Sequence, residues 1–455
     1  MKASFISIDL GTTRLKVAAF APDGTLQHAE ECRHTETHDG MGRCQDPQTW
    51  WRDTLACLSN VSTYLKGHEI LGLSLSGRGA AAIFVDSRKR VVNQVWFDRR
   101  HAKHIETIIN AAPELPSVCI QFLAKYEWAK QEIEAEIERA FFAKDWLLYQ
   151  LTGEHKTDWA TGPDAAQWPR GIESLRLPET LLPTPCLPWE IAGYLDSNIA
   201  SLTGLPAGLP VAVGAHDGLA ANIGSGAVHH GDYVVTMGTH AVVRATVAKA
   251  VSGARHFYRL PPELVIVGGN GLWAGRAIDW YLDLIGHQDV FEVLEEVTSK
   301  PGAGGLFFLP YLGGQSAPER RMDRQARFYG LRLEHDVTHL TRAMLEGTAF
   351  AIRAIFTQVQ TWGGPVNCVR MTGGGSRSSV WMEILANVLN QPLGISDGYV
   401  EARGAAMCLA VALGLQDDIG VAAESMTQVS QEVQPDPQMV HRYDSLYQTW
   451  LLLHD

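Results

Sequence analysis

The sequence predicts an α/β chain of two similarly built halves, on three observations. The 455 residues, 46% of them hydrophobic, exceed what one core usually holds. Short apolar runs alternate with segments of helical spacing. A strand, Gly-Thr turn, strand pattern occurs twice, once around Ile8-Asp9-Leu10-Gly11-Thr12-Thr13-Arg14-Leu15 and again around Val235-Thr236-Met237-Gly238-Thr239-His240-Ala241-Val242. Gly11 and Gly238 lie 227 positions apart, about half the chain. Such a spacing fits duplication of a whole domain rather than a solenoid of short repeats. The expected division is residues 1–228 and 229–455, joined through Gly224-Ser225-Gly226 and His229-His230-Gly231-Asp232.

Taken in order, the two copies of the turn open their halves as hairpins. Residues 131–138 are charged, and the same segment turns apolar at Phe141, Trp146 and Leu148; the reading is one helix, exposed and then buried, ended by Gly153. Residues 185–188, bounded by prolines, read as a loop. Residues 209–214 form a short apolar strand, and Asp217 stands near the start of a helix. Asp336 caps a helix through Leu340, Met344, Leu345 and Phe350 to about Trp362, stopped by Gly363-Gly364. The glycine-rich Met371-Thr372-Gly373-Gly374-Gly375-Ser376-Arg377-Ser378 precedes a helix from Ser379 through Trp381, Ile384 and Leu385.

Composition narrows the function. A formal charge of -12 without a Lys/Arg run gives no surface for nucleic acid or anionic membrane. Seven scattered cysteines show no CxxC pair and read as reduced thiols of a cytosolic protein. The first residues turn acidic too early for a signal peptide, and the longest apolar stretch, 404–415, is too short to span a bilayer. A cytoplasmic enzyme acting on a small molecule is expected, with a homodimer left open.

No GxxxxGK[ST] motif is present. The Gly11 turn can bind phosphate differently: its glycine admits close approach, its N–H groups and the Thr12 and Thr13 hydroxyls donate, and Arg14 adds charge. The Gly238-Thr239 turn repeats the arrangement. Asp9 is placed for Mg2+, while its counterpart is Thr236, so one half alone supplies a carboxylate. The plain alternative is a tight hairpin with a polar tip. Gly374, Gly375 and Ser376 offer a flat surface for purine or ribose at a helix N-terminus, or are simply a strand-to-helix turn. Asp217, at a strand-to-helix junction, can accept the proton of an attacking hydroxyl or cap its helix. His216 reads as a packed histidine, and no Ser/His/Asp set suggests a hydrolase. Trp96 is a core residue by default that can pack on a polyol; Asp98 can bind hydroxyls or cap a turn.

These residues resemble the FGGY carbohydrate kinases of the actin-like ATPase superfamily over nearly the whole chain. The most specific part is Ala326-x-Phe328-x-Gly330-Leu331 followed by His339-Leu340-x-x-Ala343-Met344-Leu345-Glu346. Also similar are Asp9-x-Gly11-Thr12-Thr13, Trp96-x-Asp98-x-Arg100, Lys144-Asp145-Trp146-Leu147, Leu151-Thr152-Gly153-Glu154, Thr157-Asp158, Leu309-Pro310-Tyr311-Leu312-x-Gly314 and the 373–378 run. The resemblance implies two ribonuclease-H-like domains around a cleft that holds the active site and closes on substrate. It implies Asp217 as general base, Asp9 serving Mg2+, and ATP against the C-terminal half. Thr12, Thr13, Thr239, Gly275, Gly374 and Gly375 are implied nucleotide contacts. The implied reaction moves the γ-phosphate of ATP to a hydroxyl of a small sugar or polyol, such as a pentulose.

The departures cluster near the substrate. Arg78 and Ala80 stand where the family presents Gln and then His or Glu; His240 follows the second Gly-Thr; Phe122 replaces a small residue. With Arg78, a sugar acid of gluconate type becomes the alternative substrate, unless Arg78 is paired with Asp98 or Asp217. A nucleotide switch of actin or Hsp70 type would share the turns without needing a carboxylate-bearing pocket loop. A retired regulator would have lost Asp9 or Asp217, and both are present.

Overall fold

The computed structural model describes the chain except residues 1, 39, 41, 80, 114, 116, 135, 160–172, 261–262, 287–299, 397 and 455. Two compact units emerge: Met1–Gly226 with Tyr399–Thr427, and Ala227–Gly398 with Gln428–Asp455.

In the first unit, the expected hairpin is Ala3–Leu10 and Arg14–Phe20, antiparallel, with Leu26–Arg33 added at its edge. Glu69–Gly77 then lies parallel to Ala3–Leu10 on the other side, followed by Pro210–Ala212 and Ile191–Tyr194. Ala3–Leu10 is buried along nearly its whole length, as a central strand covered on both faces must be. Ile6, Ile8, Leu73, Leu75, Phe141 and Trp146 belong to its core. The helix Pro47–Tyr64 packs on the hairpin, started by Asp46, which accepts from the Gln48 N–H, and by a proline in its first turn.

The second unit repeats this order. Asp232–Met237 and Ala241–Val247 pair antiparallel, Leu264–Leu272 extends the hairpin, and Cys368–Thr372 lies parallel to the first strand, followed by Leu393–Ser396 and Val429–Val433. One further strand, His256–Leu260, continues its edge. The equivalence reaches individual pairs: Asp9 sits opposite Ser76 in one sheet, and Thr236 opposite Thr372 in the other. The helix Val337–Gly363 begins at a capping box of Asp336 and His339.

Three local readings change. Residues 131–153 are not one helix: Ser117–Glu132 ends as a helix, Arg139–Phe142 is a strand, and Ala143–Thr152 is a separate helix. Phe141 and Phe142 pair across to Ile83 and Ala82, and this non-local pairing overrides helical spacing. Residues 184–186 pair in parallel with Lys156–Asp158 rather than forming a plain loop. Tyr399–Thr427, expected within 229–455, packs in the first unit instead, because the helix Val400–Ala412 crosses the helix Asp217–Gly224 at two glycines. A Cβ on Gly404 would lie 2.0 Å from the Ala220 carbonyl oxygen, and one on Gly224 1.9 Å from that of Val400. No helix among the described residues is long and apolar enough to cross a membrane.

Candidate active site

Register builds the first unit's site. Asp9 faces Ser76 on the neighbouring parallel strand, and Ser76 in turn faces Ala215 on a third. Asp9 and Asp217 are thereby brought to the same carboxyl edge of the sheet, where ligands of open α/β sheets bind. The approach of the third strand requires Gly214 (φ 72°), since a Cβ there would lie 1.8 Å from the Leu75 carbonyl oxygen. Lys144 supports the same approach from the core: its fully buried ammonium donates to the Val213 carbonyl at 3.2 Å and pairs with Asp145 and Asp158.

Asp9 is buried, and Ser76 Oγ donates to its Oδ1 at 2.8 Å. Burial pushes its carboxyl up to about 7; Lys16, 3.9 Å away, opposes this, while the charges of Glu401 and Asp217 reinforce it. Burial works against the Lys16 charge too, but Asp9 and Glu401 outweigh it and hold its proton more tightly than usual. Asp9 thus feels two further carboxylates, Glu401 and Asp217, while Lys16 lies near Asp9 and Glu401, and excess negative charge around Asp9 favours a further cation. Among the described residues no cluster of three or more His, Cys, Asp or Glu side chains forms a ready metal cage. Mg2+ does not require one, because it takes most of its ligands from water and phosphate.

The Gly11 turn is held from behind. His34 Nε2–H donates to the Gly11 carbonyl at 3.1 Å, Gln45 and Arg78 both donate to the Thr12 carbonyl at 3.1 and 3.3 Å, and the His34 N–H donates to the Thr13 carbonyl at 2.9 Å. With three carbonyls directed into the protein, the exposed Thr12 and Thr13 side chains form the outward tip. Arg14, also exposed, pairs with Glu31 at 2.7 Å.

Asp217 opens its helix, but the residue at the cap position is His216. The Gly218 N–H lies 2.7 Å from Asp217 Oδ1 and 3.0 Å from His216 Nδ1, and those two atoms are 2.8 Å apart. The Asp217 side chain keeps 32% of its surface exposed. Gly79 makes room for the imidazole, since a Cβ there would lie 2.6 Å from it.

Of the substrate candidates, Trp96 is only 2% exposed, its rings packed against Trp128 and its indole N–H on His101. Its expected polyol-facing surface is covered. Asp98 is half-buried and gripped by Arg100, which holds its carboxyl below the usual range although burial pulls the other way. Arg78 is paired with neither expected acid. Its guanidinium lies between the rings of Trp50 (4.6 Å) and Phe97 (4.7 Å) and donates to Gln45 Oε1 at 2.9 Å. Ala80 falls outside the described residues.

In the second unit the glycine elements converge on Met237-Gly238. The Gly275 N–H donates to the Gly238 carbonyl at 3.0 Å, and a Cβ on Gly275 would lie 2.6 Å from that oxygen. Gly373 (φ 89°) abuts Met237, Ser376 Oγ donates to the Gly373 carbonyl at 2.7 Å, and Gly374 has open space where a Cβ would be. Thr239 is exposed at the turn. Thr236 and Thr372 share a 2.9 Å hydroxyl contact joined by Arg244, so this copy carries no carboxylate where the first has Asp9. His34, Gln45, Ser76, Lys16's partner Glu401 and the capping role of His216 escaped sequence reasoning. Only Ser76, one strand over from Asp9, had a signal in the duplicated pattern.

This geometry meets its counterpart in known proteins. The model of the FGGY family of carbohydrate kinases, N-terminal domain, matches residues 4–224, and that of the C-terminal domain matches 233–413. The chain is 25% identical over 443 residues to Gluconokinase of Bacillus subtilis (strain 168), covering 88% of this chain and 85% of that one. It is 26% identical over 419 residues to Xylulose kinase of Escherichia coli (strain K12), covering 87% and 86%. A crystal structure titled as a xyloylose kinase from Brucella ovis superposes with a TM-score of 0.86 at 26% identity, covering 99% of this chain and 98% of that one. With both family domains matched in order over most of the chain, and with the duplicated sheets built as two actin-like, ribonuclease-H-like halves, the chain belongs to the FGGY family of carbohydrate kinases.

Proposed function

We propose that the protein transfers the γ-phosphoryl group of Mg-ATP to a hydroxyl of a small sugar or polyol, with Asp217 as general base. The observation that carries this reading is the register that sets a partly exposed Asp217 at the same sheet edge as a buried Asp9. Asp217 accepts the hydroxyl proton as the oxygen attacks. Thr12, Thr13 and Arg14 in one unit, with Gly238, Thr239, Gly275, Gly374, Gly375 and Ser376 in the other, are the proposed nucleotide contacts. Asp9 would hold Mg2+, which when bound neutralises phosphate charge. Arg78 and Asp98 are the proposed acceptor contacts; Trp96 supports them from the core.

Asp217→Asn should lower kcat by about 10²–10⁴ while MgADP binding, followed by calorimetry, stays near wild type. A folded variant with near-normal kcat would overturn the base assignment. Relatives named for xylulose and for gluconate match at similar identity, so a pentulose and a sugar acid are both acceptors to test. The second is favoured by one observation, that the Arg78 guanidinium has no carboxylate in ion-pairing distance among the described residues and donates only to neutral acceptors.

A further inference from the structure

We infer that the acceptor carries an anionic group, of carboxylate or phosphate type, whose counter-charge is Arg78; this rests on the kinase reading above. Arg78 is 6% exposed at the end of the strand Glu69–Gly77, beside the residues that pair with Ala215-His216. Its donors are incompletely used. One Nη donates to the Thr12 carbonyl and the other to Gln45, both neutral acceptors, and the buried Nε–H has none.

Among the described residues no carboxylate lies within ion-pairing distance of this guanidinium. The nearby acids are engaged elsewhere: Asp98 with Arg100, Glu36 with Arg43 at 3.4 Å, and Asp217 with His216 and the Gly218 N–H. The Trp50 and Phe97 faces soften the cost of a buried cation but do not cancel it. Burial opposes the charge of Arg78, Asp217 and Glu36 favour it from a distance, and Arg43 opposes it. Lys125, also buried, has its charge opposed by burial first and then by Arg78, favoured by Asp98, and opposed again by Arg100. The cations of this region thus repel one another, and a bound anion relieves them together. A brace for Thr12 and Gln45 alone would need hydrogen bonds, not a permanent charge; Asp217 and Glu36 answer that charge only from a distance, and among the described residues no carboxylate touches it. A carboxylate answers it with one charge and an oxygen for Nε–H, and a phosphate offers the same chemistry.

The test compares kcat/KM for D-gluconate, D-glucitol and D-glucitol 6-phosphate in wild type, Arg78→Gln and Arg78→Lys. Wild type should favour one of the anions over glucitol by roughly ten- to hundred-fold, Arg78→Gln should lose most of that ratio, and Arg78→Lys should keep part of it. Which anion leads identifies carboxylate or phosphate. Equal losses on all three acceptors, or a wild type that prefers glucitol, overturns the inference while leaving the kinase reading in place. ATP turnover with none of these and no other sugar overturns both. Should the variants fail to fold, wild type alone decides: without nucleotide, its melting temperature should rise with an anionic acceptor, less so at high salt, and not with glucitol. No such selective rise counts against it.

Discussion

Ser76 Oγ hydrogen-bonds Asp9 Oδ1 at 2.8 Å across two paired strands, and that contact offsets only part of the burial that keeps the Asp9 carboxyl protonated to a higher pH than usual. With its pKa raised from 3.8 to about 7, Asp9 binds its proton longer in the folded chain than in the unfolded one. Its contribution to stability is therefore complete below pH 3.8 and lost as pH rises through about 7. Asp9→Asn, which cannot ionise, should melt higher than wild type at pH 8, with the gap closing towards pH 5. The same variant should need more Mg2+ for half-maximal rate. A melting difference that ignores pH, or an unaltered Mg2+ dependence, would reduce Asp9 to a turn residue.

His34 titrates with the opposite sign. Burial and then Arg78 lower its pKa from 6.5 to about 4, while its bond to the Gly11 carbonyl pulls the other way. Its stabilisation is complete above pH 6.5 and lost as pH falls through about 4. His34→Gln retains a side-chain N–H for Gly11 and removes the titration. Between pH 7 and 4.5 it should lose less stability than wild type in urea unfolding, whereas His34→Leu should also raise the KM for ATP. Identical acid slopes for wild type and Gln variant would refute this.

At Gly374 the proposed nucleotide contact can be tested apart from folding. No atom lies within 4 Å of a Cβ built there, so Gly374→Ala should keep or slightly raise the melting temperature. If adenosine lies on this glycine, the methyl should raise the KM for ATP several-fold and leave the KM for the acceptor nearly unmoved. An unchanged KM for ATP would remove Gly374 from the nucleotide site.

Much of this molecule could be read from local pattern. The two Gly-Thr turns were legible because a hairpin is made by neighbours in sequence, and the helix from Asp336 because its cap and apolar stripe are continuous. The 131–153 segment was misread because Phe141 and Phe142 take their partners from Ile83 and Ala82, which no local window contains.

The site divides along the same line. By itself the sequence determined which side chains are candidates for chemistry, Asp9, Asp217, the two turns and Arg78, because motif spacing is a property of the chain. Only the tertiary structure decided their condition: that Asp9 is buried beside Lys16 and Glu401, that His216 takes the cap position before Asp217, that Trp96 is covered, and that Arg78 lies between two rings with no acid in contact among the described residues. Charge state and reach depend on burial and on groups distant in sequence, and folding alone brings those together.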